Sequence, residues 1–203
     1  TGNTLNMHYT IADPKTFGIS EYEPVLPIYH SDQPEDSKEH CSDLLHRLDR
    51  IDPDRLSPEN AYTYRLLHRS LENDLALADF PYYNEPLSPS SGMQSQLPVL
   101  LAEYTFRTKR DVTDYLALLD QIDDYFASLL LYEQEKAAAG FFMPACSSEK
   151  VRKQCDTIVT TEELAQGTHF LQTTFEDRLS ELPKQGLFTP EETASLIETN
   201  DRL

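Results

Sequence analysis

From residue 35 onward the apolar positions of this chain recur every three or four residues, and proline and glycine break the run at intervals. That spacing predicts helices almost throughout. Leu44, Leu45, Leu48 and Ile51 make the first stripe over 35–51. It opens on Glu35, Asp36 and Glu39, acids that suit the positive end of a helix dipole. Asp52-Pro53 closes it, because the residue before a proline resists the α conformation. Ser57 as N-cap and Pro58 at the first helical position open the next helix. Tyr64, Leu67, Leu71, Leu75 and Ala78 carry its stripe to about Phe80. Thr108 and Asp111 form a capping pair at the head of the longest run. There Val112, Tyr115, Leu116, Leu119, Ile122, Phe126, Leu129 and Leu130 predict one helix over about 108–139, with Gly140 as the residue just past its end. Further helices are predicted at 148–159, at 161–166 with Thr160 capping through Glu163, and at 168–182. A last one opens at Thr189-Pro190-Glu191-Glu192, a capping box with proline at its first position.

Two stretches lack this period. Residues 1–34 carry Pro14, Pro24, Pro27 and Pro34 among the aromatics Tyr9, Phe17, Tyr22 and Tyr29, and read as an extended, loop-rich segment lying across the helices that follow. Residues 81–98 form a second loop-rich stretch, followed by a short apolar helix or turn from Leu97 to Tyr104. The predicted fold class is therefore all-α: a multi-helix array with one long central helix and proline-rich loops. It comprises the segment 1–34 and a helical lobe 35–203, without internal repeats. The chain opens at Thr1 without a methionine, and its last helix meets Leu203 without a stop signal. Both features read as a fragment of a larger helical protein, with that helix truncated at 203.

Charge narrows the partners. Seventeen Lys and Arg stand against 35 Asp and Glu, a formal net charge of −18. Such a surface repels phosphate backbones and anionic lipid, so neither nucleic acid nor direct membrane insertion is expected. A solvated acidic face, or a cationic or neutral partner, fits this balance. No apolar run is long enough to span a bilayer. Cys41, Cys146 and Cys155 have no CxxC spacing, and the last two stand too far apart along a helix to be bridged, so three free thiols are expected.

Chemistry-bearing motifs are absent. His40 and His46 point about 120° apart around their helix, His68 has Glu72 one turn on, and His8, His30 and His169 are isolated. No HExxH occurs, nor any paired Cys/His spacing. Asp120, Asp123 and Asp124 fall on the solvent side of the long helix. No glycine-rich phosphate loop and no GxSxG elbow are present. No catalytic residue, metal ligand or cofactor-binding residue is expected in this chain. One basic group, Arg107-Thr108-Lys109-Arg110 beside Tyr104 and Phe106, either binds a carboxylate or balances neighbouring acids.

The most distinctive stretch is Glu85-Pro86-Leu87-Ser88-Pro89-Ser90-Ser91-Gly92-Met93-Gln94-Ser95-Gln96-Leu97-Pro98, running into Leu100-Leu101-Ala102-Glu103-Tyr104 and Phe106-Arg107-Thr108. With Asp114-Tyr115-Leu116 and Glu135-Lys136-Ala137-Ala138-Ala139-Gly140, it resembles the bacterial domain-of-unknown-function family eight-eight-five. Leu5-Asn6-Met7-His8-Tyr9-Thr10, Pro14 and Phe17-Gly18-Ile19 are similar to the start of its Firmicutes lipoprotein-like branch. The resemblance covers most of 1–182 and is strongest over 85–140.

Members of that family resemble HExxH-type zinc metallopeptidases whose zinc helix lies in the C-terminal half of a much longer chain. The resemblance implies that this stretch is the N-terminal helical lobe of such a protein and forms one wall of a substrate cleft. It also implies an extracytoplasmic lipoprotein, zinc in the full-length parent but not here, and the missing C-terminal half and a peptide substrate as partners. The alternative is a non-catalytic protein- or peptide-binding helical module. If the lobe lines a cleft, the candidates are Gly92, Gln94, Gln96, Tyr104 and Arg107. There a proline-bounded loop offers backbone approach and side-chain hydrogen bonds. The rival reading is that this loop packs over the long helix, burying Met93 and Leu97.

Overall fold

A computed structural model describes residues 3–11, 13–29, 33–182 and 186–203, with side chains from 38 onward in the second helix. His30, and the side chains of Glu35 and Asp36 read above as an acidic helix start, lie outside the described residues. Among those described, every regular element is helical. The α-helices are α1 Thr4–Thr10, α2 Gln33–Leu48, α3 Pro58–Leu77, α4 Met93–Ala102, α5 Lys109–Leu119, α6 Ile122–Ala138, α7 Ala145–Ile158, α8 Thr161–Gln166, α9 Phe170–Glu181 and α10 Pro190–Arg202.

The chain divides into two compact units. The first comprises Thr1–Ile28, Glu85–Leu130 and Phe142–Leu203, the second Tyr29–Asn84 and Leu131–Phe141. In the first, α4 packs against α7 and α9, and α9 against α10. Its core is rich in aromatic residues. Tyr115 and Phe175 stack with ring centroids 5.3 Å apart, and Phe106 meets Phe175 edge-on at 5.5 Å. Arg178, half-buried, lies against this core with its guanidinium 4.5 Å from the Phe106 ring centre. It donates from Nη1 to the carbonyls of Leu101 and Tyr104 at 3.0 and 2.5 Å. In the second unit α2 and α3 pack side by side. Tyr132 there donates to the Pro81 carbonyl at 2.6 Å, and the buried Lys136 ammonium to the Asn84 carbonyl at 3.2 Å.

The caps read from sequence form as predicted. Thr108 with Asp111 and Thr189 with Glu192 make full capping boxes, and Ser57 accepts from the Asn60 amide at 3.3 Å. Gly140 has φ 88°, and the Phe141 amide folds back to the Lys136 carbonyl at 3.0 Å, closing α6 as a left-handed glycine allows.

Three expectations are corrected. The single long helix over about 108–139 is two helices, α5 and α6, divided at Asp120-Gln121. At the break the Gln121 amide bonds to the Leu118 carbonyl, a tighter turn than the α-helical ladder. The Gln121 side chain then donates to the released Ala117 carbonyl at 2.7 Å and to the Pro24 carbonyl at 3.0 Å, and accepts from the Leu26 amide at 3.1 Å. An apolar stripe continues through such a break, so periodicity could not reveal it. Within 1–34, α1 is a helix rather than loop. Asn3 caps it by accepting from the Asn6 amide at 3.0 Å, and Leu5 and Met7 are buried. Seven residues are too few to display a 3.6-residue period. The second loop-rich stretch also ends early, at Met93, and α4 runs through Pro98. Burial of Leu97 and Leu101 offsets the hydrogen bond that proline removes.

Candidate functional site

The five residues singled out from sequence sit in different surroundings. Gln94 holds the proline-rich loop to α7, and Gly92 lets that loop close on Ser88. Gln94 Nε2 donates to the Ser88 carbonyl at 2.8 Å and to Gln154 Oε1 at 2.9 Å, while Gln154 Nε2 donates to the Pro89 carbonyl at 2.9 Å. A Cβ at position 92 would stand 2.3 Å from the Ser88 amide nitrogen and 2.5 Å from its carbonyl oxygen, so only glycine fits. The loop is thus tied to α7, with Leu97 buried beneath it. Gln96 is exposed on α4. Tyr104 is 1% exposed and stacks flat on His8, ring centroids 3.7 Å apart. Burial holds its phenol well above the ordinary range. Arg107 is exposed on the edge of a cavity.

That cavity, about 470 Å³ in volume, lies in the first unit between residues 13–22 and the start of α5. Its lining brings Lys15 and Tyr22 together with the basic group read from sequence, Arg107 and Arg110 included. Local rules place each part. Asp13 caps the short turn Pro14–Phe17 by accepting from the Lys15 amide at 3.1 Å, with proline at the first turn position. Asp111 Oδ2 accepts from the Arg107 amide at 2.9 Å, the Thr108 amide at 2.7 Å and the Thr108 hydroxyl at 2.9 Å. The Arg110 guanidinium lies 3.9 Å over the Tyr22 ring and donates to the Tyr22 carbonyl at 2.5 Å. Behind it Asp114, 4% exposed, accepts from the Tyr22 hydroxyl at 2.7 Å and stands 3.5 Å from Arg110 Nε. Burial, then the Asp114 carboxylate, pushes the Tyr22 phenol up to about 12. His8 Nδ1 lies 3.7 Å from Asp111 Oδ1, too far for a hydrogen bond. Burial pulls its imidazole below the ordinary range, and the Asp111 charge opposes that pull.

Chemically, this arrangement offers cations and a ring, and its two hydroxyl–carboxylate pairs, Thr108 with Asp111 and Tyr22 with Asp114, form a helix cap and a buried anchor. Asp120, Asp123 and Asp124 are exposed, as the sequence implied, and all three cysteines are free thiols. Sequence reading missed Lys15, Tyr22 and Asp114. Asp13-Pro14 is a capping signature and Arg110/Asp114 a one-turn ion pair, so both signals were present, but nothing in the order of residues joined them.

The sequence profile of a family described as bacterial protein of unknown function (DUF885) matches residues 15–200. The chain belongs to the DUF885 family. No curated protein matches it. Among solved structures this DUF885 chain is similar to one described as "the putative lipoprotein from Colwellia psychrerythraea", at TM-score 0.74 and 16% identity. The match covers 98% of this chain and 34% of that one, so the DUF885 chain spans about a third of its solved relative's length. At that identity the likeness establishes the all-α fold. Among the described residues no group of three or more His, Cys, Asp or Glu could hold a metal ion. No helix among the described residues is long and apolar enough to cross a membrane.

Proposed function

We propose that this stretch is the N-terminal helical lobe of a longer DUF885 protein of the zinc-metallopeptidase type, and that it forms one wall of a peptide-substrate cleft. The observation that carries this reading is the coverage of the Colwellia structure, 98% of this chain but 34% of that one. The same helical arrangement occurs there within a molecule about three times the size. In support, α3 leaves Leu66 and Leu67 half exposed, an apolar face that further helices of a longer chain would cover. Of the five candidate residues, Gln96 and Arg107 have exposed side chains and are the two able to meet a substrate. The zinc and its ligands belong, in this proposal, to the C-terminal part. The longer protein is placed outside the cytoplasm on a lipid anchor, in keeping with the description of the Colwellia relative.

The test begins with the reading frame beyond Leu203. An HExxH helix followed by a third ligand supports the proposal, and a stop codon close behind Leu203 sinks it. With the longer protein in hand, one zinc per chain and peptide turnover abolished by substituting the HExxH glutamate are the expected results. A second reading, a non-catalytic binding module, is favoured by the cation-lined cavity of the first unit. It would prevail if the longer protein bound peptides without hydrolysing them.

A further inference from the structure

We propose that the cavity between the Pro14–Phe17 turn and the start of α5 binds the carboxylate of a small organic anion with an apolar body. This goes beyond the peptidase reading and requires no catalysis.

The cations are the first ground. Among the described residues neither the Lys15 ammonium nor the Arg107 guanidinium has a hydrogen-bond acceptor or ion-pair partner, and both line the cavity. Neither acid of the lining forms an ion pair with them, because both carboxylates, though still charged, are turned to local donors. Asp13 takes the Lys15 amide, and Asp111 takes the Arg107 and Thr108 amides and the Thr108 hydroxyl. Arg110 is fixed on Tyr22 and Asp114, so it shapes the wall while Lys15 and Arg107 remain available.

The second ground is the backbone. The cavity borders the head of α5, where Asp111 takes the Arg107 and Thr108 amides while the amide of Arg110, a lining residue, has no acceptor among the described residues. The free amide and the positive end of the dipole both favour an anion there.

Distance decides against the net charge. A total of −18 repels anions at long range, but at physiological ionic strength such repulsion is screened beyond about 8 Å, so the nearby cations dominate. The carboxylates of Asp13 and Asp111 disfavour a dianion, whereas the flat guanidinium of Arg107 suits a carboxylate held by two parallel bonds. Pro14, Ile19 and the Tyr22 ring supply the apolar side, and about 470 Å³ is the size of a small-molecule site.

Calorimetric titration of the 203-residue chain with N-acetyl-phenylalanine, and with its uncharged amide, tests the proposal. The acid is expected to bind and the amide to bind about tenfold more weakly or worse, with the acid losing affinity as salt is raised. Arg107→Gln and Lys15→Gln are each expected to weaken the acid several-fold while leaving the melting temperature unchanged, since both side chains are exposed. Lys153→Gln, which removes an exposed cation outside the cavity, should leave affinity unaltered. Equal binding of acid and amide, no binding of the acid at about 10 mM, or undiminished affinity in both cation variants overturns the proposal. Inorganic phosphate displacing the acid at lower concentration than acetate does overturns the assignment to a carboxylate.

Discussion

In the first unit Tyr115, Val112, Leu118, Phe175 and Leu179 are all at 0% exposure, whereas α3 of the second unit buries none of the side chains along its twenty residues. Both regions carry apolar residues at helical spacing. The difference is in what packs against them. In the first unit the chain returns repeatedly, so that α4 meets both α7 and α9, and the aromatic residues of α5 and α9 interlock. In the second, α2 and α3 cover one side of each other and leave a groove of about 390 Å³ among Leu44, Leu48, Ile51, Leu67 and Leu71. An apolar stripe stabilises a fold only to the extent that it is removed from water, so the first unit carries most of the hydrophobic stabilisation.

Substitutions can break this contrast. Phe175→Ala should cost about 3–5 kcal/mol, the range for large core truncations, measured by urea unfolding of the first unit's near-ultraviolet signal. A comparable loss from Leu67→Ala would erase the difference between the units. Next in size, Gly92→Ala should cost about 1–3 kcal/mol by forcing the Ser88 backbone away from the new methyl group. The same assay reads it, and an unchanged midpoint would mean that the loop is looser than its contacts imply. Gln121→Leu should cost about 1–3 kcal/mol, because the Leu26 amide and the Pro24 carbonyl lose their partner. Hydrogen exchange at Leu26 should accelerate with it, and exchange unaltered there would remove Gln121 as the support of the helix break.

A smaller effect concerns acidity. His8 titrates below its ordinary 6.5 in the folded chain, chiefly because it is buried. The unfolded chain therefore takes up the proton first, and stability is lost as pH falls through 6.5 toward the folded value, by at most about 1.4 kcal/mol per pH unit. His8→Phe should flatten the midpoint against pH between 7 and 5, about the window in which an imidazole titrates; an unchanged slope would assign the acid sensitivity to other groups. Smallest of all, Leu66→Lys on α3 should shift stability by about 0.5 kcal/mol or less while lowering the fluorescence of a dye that binds apolar surface. A large loss of stability would show that this face is already covered.

The helices and their caps were legible in the sequence because each depends on residues three or four positions apart. Ser57, Thr108, Thr160 and Thr189 all cap where their local neighbours predict. The distinctive 85–140 stretch also marked the family, because the order of its residues is enough to carry that resemblance. Less of the candidate site was readable. Arg107 stood out within a basic group, and Gly92 and Gln94 stood out in an unusual loop, but the roles of the latter two depend on Ser88 held in place and on Gln154, far along the chain. Tyr104 drew notice as an aromatic, yet its stacking on His8 joins two segments with nothing in common in sequence.

Residue order alone therefore set the helical composition, its punctuation and its kinship, all through short-range spacing and residue type. Packing decided where the longest stripe breaks, which apolar faces are buried, and which cations meet around a cavity. Each of those outcomes depends on a partner distant in the chain. Gln121 divides a helix because Pro24 and Leu26 present backbone groups to it, and Lys15 joins Arg107 because the N-terminal segment packs at the head of α5.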